Sequence, residues 1–158
     1  MIDTPTAGDK AVILDIAART GVFSAEEVDT VEELFDAYLE DAAASGYYFL
    51  TYRDGGQVVG FACYGPVALT EGTYDLYWIA VDPNIQARGI GGALLAWVEA
   101  ETRARGGRML MVETSGRPDY DRTRRFYEHQ GYTRVAVIDD FYAPGDDLVI
   151  YRKRLATH

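Results

Sequence analysis

The sequence has little of several things, and each shortage excludes a class of protein. Among its 158 residues there is one cysteine, Cys63, and there are two histidines, His129 and His158. One cysteine cannot close an internal disulfide, so a disulfide-stapled scaffold is excluded and a reducing, cytoplasmic setting is the expectation. One Cys and two His also leave no zinc-type ligand set, and no metal is expected. No apolar run approaches the roughly 20 residues that a membrane span requires, so no membrane partner is expected. The polar, acidic start MIDTPTAGDK does not read as a secretory signal. Positive charge is scarce: 15 Lys and Arg stand against 25 Asp and Glu, a formal net charge of −10. A nucleic-acid partner needs clustered basic residues for its phosphates and is not expected. None of the serines (Ser24, Ser45, Ser115) sits in a Gly-x-Ser-x-Gly elbow, which leaves a hydrolase triad unsupported.

What is present is an ordinary globular composition, 48% apolar and 25% charged, of a length that fits one domain over residues 1–158. The charge is uneven. Residues 1–80 hold 14 acidic and 3 basic residues, whereas residues 81–158 hold 11 and 12. One half therefore suits a cationic ligand and the other an anionic one.

Periodicity divides the chain into elements. Asp9 to Arg19 reads as a short helix ended by Gly21. Ser24-Ala-Glu-Glu27 is a capping box, and Val28, Val31, Leu34, Phe35, Tyr38, Leu39 and Ala42 follow at helical spacing to a stop at Gly46. Tyr47–Arg53 and Gln57–Tyr64 are strands around an Asp-Gly turn, and Gly65-Pro66 breaks the second. Thr73–Val81 is a further strand, and period-two alternation puts Asp75, Tyr77 and Ile79 on one face with Tyr74, Leu76 and Trp78 on the other. Gly89 to about Arg105 is a helix, Arg108–Glu113 a buried strand, and Asp121–Gln130 a short helix stopped by Gly131. Tyr132–Asp140 and Leu148–Arg154 are strands joined by the loop Phe141–Asp147. The fold class is α/β in the α+β sense: a mixed, mostly antiparallel twisted sheet of about six to seven strands flanked by about four helices.

The chemistry concentrates in Val81-Asp-Pro-Asn-Ile-Gln86-Ala-Arg88-Gly89-Ile-Gly91-Gly92-Ala-Leu-Leu95. A strand ends in Asp-Pro and a glycine-rich loop runs into a helix. Free amides at the helix start, the helix dipole and Arg88 together suit a pyrophosphate. A Rossmann fingerprint requires glycine at position 94, which is Leu, and a P-loop requires Gly-Lys-Ser/Thr, where Gly92-Ala-Leu stands. The acyl-CoA loop pattern Gln/Arg-x-x-Gly-x-Gly/Ala is matched by Gln86-Ala-Arg-Gly89-Ile-Gly91.

With a second block, Thr123-Arg-Arg-Phe126-Tyr127-Glu-His-Gln-Gly131-Tyr132, the sequence resembles the GCN5-related N-acetyltransferase (GNAT) family over about residues 10–155. The resemblance implies a splayed strand pair that binds acyl-CoA, with acetyl-CoA as co-substrate. It places Ile79, Ala80 and Val81 along the pantetheine and the amides of Gln86, Ala87, Arg88, Gly89, Ile90, Gly91 and Gly92 on the pyrophosphate. Thr123, where the family often has Asn, Arg124 and Phe126 would line the coenzyme side, and Arg122 and Arg125 could reach its phosphates.

Tyr127 would be the general acid that protonates the departing thiolate. A thiol near pKa ~8.5 and a phenol near ~10 differ by roughly 2 kcal/mol, within reach of a positioned hydroxyl. Asp75, Glu113 and Glu71 are candidate bases, with relay through water as the alternative. Cys63 lies mid-strand without a nearby His and reads as a core thiol, so direct transfer in a ternary complex is expected. The family's acceptor wall maps onto residues 10–46 and 65–75, whose acidic excess favours a cationic amine: a polyamine, an aminoglycoside, a lysine or a peptide α-amine. The loop Asp140–Asp147 would close over the acceptor or form a contact in a homodimer. The alternative function is a silent acyl-CoA-binding regulatory module on the same fold.

Overall fold

The computed structural model describes residues 1–85 and 89–155. Helix α1 (Lys10–Arg19) is followed by α2 (Ala25–Ser45), which begins and ends where local chemistry dictates; its start is the anticipated capping box. The Glu27 amide donates to Ser24 Oγ at 3.1 Å, and the Ser24 amide donates to Glu27 Oε1 at 3.1 Å. Gly46 ends α2 in the left-handed conformation (φ 76°), which costs glycine little. The helix is interrupted at Asp41, where the backbone is extended and the carboxylate caps the last turn by accepting from the Ala44 amide.

Strand β1 (Ile2–Asp3) comes first in the chain; β2 (Tyr48–Asp54), β3 (Gln57–Pro66) and β4 (Thr73–Val81) follow α2. Then come α3 (Ile90–Ala104), β5 (Met109–Ser115), α4 (Asp121–His129), β6 (Thr133–Ala143) and β7 (Asp146–Arg154). The sheet order is β1-β2-β3-β4-β5-β7-β6. Only β4 and β5 pair in parallel; the other neighbours are antiparallel. Each face of the sheet carries its own core. Leu94, Leu95 and Val98 of α3 pack on Leu76, Leu110 and Val112, and Ile13, Ile16 and Phe35 of α1 and α2 pack on Phe49, Phe61 and Cys63. Cys63 is fully buried, and burial pushes its thiol well above the usual range. No helix among the described residues is long and apolar enough to cross a membrane.

Three features differ from, or were absent from, the reading of the sequence. Ile2–Asp3 forms an edge strand, because Arg53 of β2 donates to the carboxylates of Asp3 and Asp9 and stitches this segment to the sheet. The stretch Phe141–Asp147 is not a loop: β6 runs to Ala143 and β7 begins at Asp146, leaving a tight turn at Pro144-Gly145. A wide bulge hid this from its alternation. Asp139 to Tyr142 stand opposite Asp147 alone, held by Asp140 N donating to Asp147 Oδ1 and Gly145 N donating to Asp140 Oδ1. The third, in β4, bears on the site and is described with it.

Ser24→Ala removes the cap of α2 and should lower stability by about 1 kcal/mol. Chemical denaturation of the two proteins measures it, and Ser24→Asp should restore most of the loss.

Candidate active site

The site originates in a ladder that stops. Strands β4 and β5 are paired at Thr73–Met109, Tyr74–Leu110, Asp75–Met111 and Leu76–Val112, and then diverge. Beyond that point β4 stays bonded to β3 and β5 to β7, so each keeps one partner while a gap opens between them. The amide of Asp82 donates to Val59 of β3 at 2.8 Å. Alternate residues of a strand direct their backbone groups to opposite sides, so Ala80 also faces β3 whereas Ile79 and Val81 face the gap. Of the three residues expected along the pantetheine, Ala80 therefore presents no backbone group there; its side chain is buried in the α1–α2 core.

A β-bulge sits at the same place. The β3–β4 register shifts between Cys63–Trp78 and Tyr64–Leu76, leaving Tyr77 as the extra residue. Bulges reverse the alternation downstream. Ile79 and Val81 consequently pack with Tyr74 and Leu76 toward α3 and α4, whereas Trp78 and Ala80 pack toward α1 and α2. The simple alternation anticipated for this strand fails at Tyr77 for that reason.

Two cavities flank the gap. The larger, about 770 Å³, lies between the α1–α2 loop (Gly21–Ser24), the β4–β5 splay and the β6–β7 hairpin. The smaller, about 240 Å³, lies against α3 and α4 and is bordered by Val81, Gly91, Arg122 and Phe126. Ile79, Thr123 and Tyr127 border both. Tyr127 is buried, and burial pushes its phenol well above the ordinary tyrosine range, so the hydroxyl keeps its proton. Asp75 and Glu113 border the larger cavity together with Glu27 and Asp146. Burial, and then the nearby Glu113 charge, raise the Asp75 carboxyl above its usual range. Neither Asp75 nor Glu113 has an ion pair among the described residues.

At the other end of the gap, α3 starts at Gly89 in a left-handed conformation (φ 68°), with Ile90 buried in the core behind it. The amides of Gly89, Ile90, Gly91 and Gly92 fall at the first turn, where no intrahelical acceptor exists. A Cβ at Gly91 would meet the Phe126 ring at 3.5 Å and Val81 at 3.9 Å, ordinary contact distances, so a larger side chain would enter the smaller cavity. The loop's entry is tied to α1, since Arg19 donates through both terminal nitrogens to Asp82 at 2.7 and 3.0 Å. Gln86, Ala87 and Arg88 lie outside the described residues.

Arg124 is placed differently from the expectation. Its guanidinium donates to the carbonyls of Ser115 and Arg117 and to Asp121, anchoring α4 to the end of β5, and it borders neither cavity. Glu71 is likewise absent from both linings; its carbonyl accepts from Arg108 Nε. Of the acidic first half, only Glu27 and Asp75 reach the larger cavity.

The family model for the acetyltransferase (GNAT) family matches residues 13–132. The chain belongs to the GNAT family. It is similar to the N-α-acetyltransferase RimI of Mycobacterium tuberculosis, at 33% identity over 67% of this chain and 65% of that protein, so it spans slightly under two thirds of that relative's length. Among solved structures, a GNAT-family protein from Desulfovibrio desulfuricans superposes with a TM-score of 0.95 at 45% identity, covering 99% of both chains. An aminoglycoside 6′-N-acetyltransferase complexed with coenzyme A shares the fold, with a TM-score of 0.79 at 18% identity, covering 100% of this chain and 98% of that one.

Further residues shape the larger cavity. Tyr120 donates its hydroxyl to the Val22 carbonyl at 3.0 Å and so straps α4's lead-in to the α1–α2 loop across the larger cavity. Arg117, paired with Asp119 and facing Asp146 at 3.8 Å, also borders it. No local pattern marks these contacts, which join segments up to 98 positions apart. Tyr142 borders the larger cavity from the bulged segment Asp139–Tyr142 of β6.

The raised pKa of Asp75 carries a stability consequence. In the folded state Asp75 binds its proton more tightly than in the unfolded chain. The fold is therefore penalised above the folded pKa, and the penalty disappears as pH falls below the ordinary carboxylate value. Asp75→Asn should raise Tm at neutral pH and lose that advantage in strong acid; thermal melts from neutral pH to about pH 3 check the sign.

Proposed function

We propose that the protein is an acetyl-CoA-dependent N-acetyltransferase that transfers the acetyl group directly to a primary amine of a cationic acceptor. The observation that carries this reading is that Ile79, Thr123 and Tyr127 border both cavities. A pantetheine arm lying in the gap and bonded to the backbone of Ile79 and Val81 would have its thioester beside Tyr127 and open to the carboxylate-lined side. Gly91 fits such a ligand, since a side chain there would take the space between Phe126 and Val81. The first-turn amides of α3 would take the pyrophosphate. Membership of the GNAT family and the shared fold of an enzyme complexed with coenzyme A support the same assignment.

The chemistry follows from the protonation states. Asp75, with Glu113 beside it, takes a proton from an arriving ammonium group. The freed nitrogen lone pair forms the C–N bond as the C–S bond breaks. Tyr127 gives its proton to the departing sulfur, and the proton released by the acylated nitrogen returns through the carboxylates and water to the phenol. The raised Asp75 pKa suits a base, and the protonated phenol suits an acid.

Among the described residues, Glu27, Asp75, Glu113 and Asp146 face one basic residue, Arg117, whose charge is held by Asp119. The cavity therefore favours a cationic amine. The relative named as an N-α-acetyltransferase supports a peptide α-amine within that class. The roomy acceptor-side cavity weighs against a silent coenzyme-binding module.

Release of CoA thiol from acetyl-CoA, measured against pooled primary amines, polyamines and short peptides, tests the proposal. Amine-dependent release should fall about 100-fold in Tyr127→Phe, with acetyl-CoA affinity nearly unchanged. Gly91→Trp should instead abolish acetyl-CoA binding. Wild-type turnover in Tyr127→Phe would remove it as the acid, and normal coenzyme affinity in Gly91→Trp would refute the loop assignment.

A further inference from the structure

Tyr127 has a directional task but no hydrogen bond from its hydroxyl among the described residues. Its direction is therefore set by what the ring touches. Three aromatic rings surround it: Phe126 at 5.2 Å, Tyr132 at 5.9 Å and Tyr151 at 6.1 Å between centroids. Two of these are pinned through their own hydroxyls. Tyr132 donates to Glu99 Oε2 at 2.7 Å, and Tyr151 donates to Glu128 Oε2 at 2.8 Å. The Tyr132 amide also donates to the Tyr127 carbonyl at 3.0 Å, so Tyr132 holds both the ring and the backbone of Tyr127.

The anchor of Tyr132 is unusual. Glu99 lies on α3 and is 6% exposed. Lys153 of β7 donates to both its oxygens at 3.1 and 3.2 Å, and to the Gln130 carbonyl at the end of α4 at 3.0 Å. One buried carboxylate thus joins α3, α4 and β7 directly behind Tyr127. Glu99 is buried while the Lys153 side chain stays 28% exposed, and such a pair is a poor route to stability, because desolvation of the carboxylate offsets much of the attraction. What such a pair does supply is a fixed direction, since a carboxylate with both oxygens engaged tolerates few alternative placements of its donors.

We propose that Glu99, held by Lys153 and acting through Tyr132, is a positioning residue that aims the Tyr127 hydroxyl at the coenzyme sulfur. This rests on the reading of Tyr127 as the general acid. The role is separate from the core packing of Tyr132, because it runs through a hydroxyl that packing does not need.

The test requires no knowledge of the acceptor. Calorimetry measures the affinity of the purified protein for CoA and for desulfo-CoA at about pH 9, high enough to ionise part of the free coenzyme thiol. The ratio of the two isolates the sulfur contact, and the desulfo-CoA affinity reports whether the rest of the site is intact. The wild-type protein should prefer CoA by about 10-fold, the worth of a charge-assisted hydrogen bond, and Tyr127→Phe should lose the preference. Tyr132→Phe and Glu99→Leu should lose most of it with desulfo-CoA affinity unchanged, while Glu99→Gln, which still accepts from Tyr132, should keep most of it. Adding Tyr132→Phe to Tyr127→Phe should change nothing further. Wild-type preference in both Tyr132→Phe and Glu99→Leu overturns the positioning role and leaves the acid assignment standing. A wild-type protein with no preference, or a Tyr127→Phe variant that retains it, overturns the acid assignment itself and the positioning role with it.

Discussion

Parallel strands β4 and β5 are bonded over four residue pairs and then part, and the organisation of this molecule depends on how that parting is sustained. Buried backbone groups seek partners, so a gap between two strands tends to close. Here it stays open because each strand is held from its far side, β4 by β3 and β5 by β7. The bulge at Tyr77 turns β4 at the point of divergence, and Arg124 fastens α4 to the carbonyls at the end of β5. The exposed edge of β4 beyond the bulge, at Ile79 and Val81, is then a ready place for an extended ligand to add itself.

Charge is distributed around this gap with more economy than the net value suggests. Most acids of the first half are solvated or paired: Lys10 bridges Glu32 and Asp36, and Arg53 takes Asp3 and Asp9. Only Glu27 and Asp75 carry that excess into the larger cavity, where Glu113 and Asp146 join them. The arginines of α4 divide similarly. Arg122 borders the smaller cavity, while Arg124 is consumed in holding the helix.

What was legible in the sequence was chemistry written locally. Ser24 and Glu27 announced the start of α2, Gly46 its end, and Gly89 the left-handed step into α3. The Phe126-Tyr127 block and the glycines before α3 indicated the family, and the sheet with its helices followed from alternation and spacing. What was not legible depends on pairing between distant segments. A bulge leaves no mark in a strand's own composition, so the switch of faces at Tyr77 was missed and the end of β6 that carries Tyr142 was read as a loop. Arg124 was expected on the coenzyme side and anchors α4 instead, because its acceptors are backbone carbonyls that any sequence possesses. Glu99 and Lys153, 54 positions apart, meet only once α3 and β7 are packed.

The central claim is that the gap between β4 and β5 holds the thioester against Tyr127. A crystal structure of the complex with acetyl-CoA tests it most directly. The pantetheine is expected to bond to the backbone of Ile79 and Val81, with the pyrophosphate at Gly89–Gly92 and the sulfur within hydrogen-bond reach of Tyr127 Oη. A coenzyme bound elsewhere, or one whose sulfur points away from Tyr127, would contradict it.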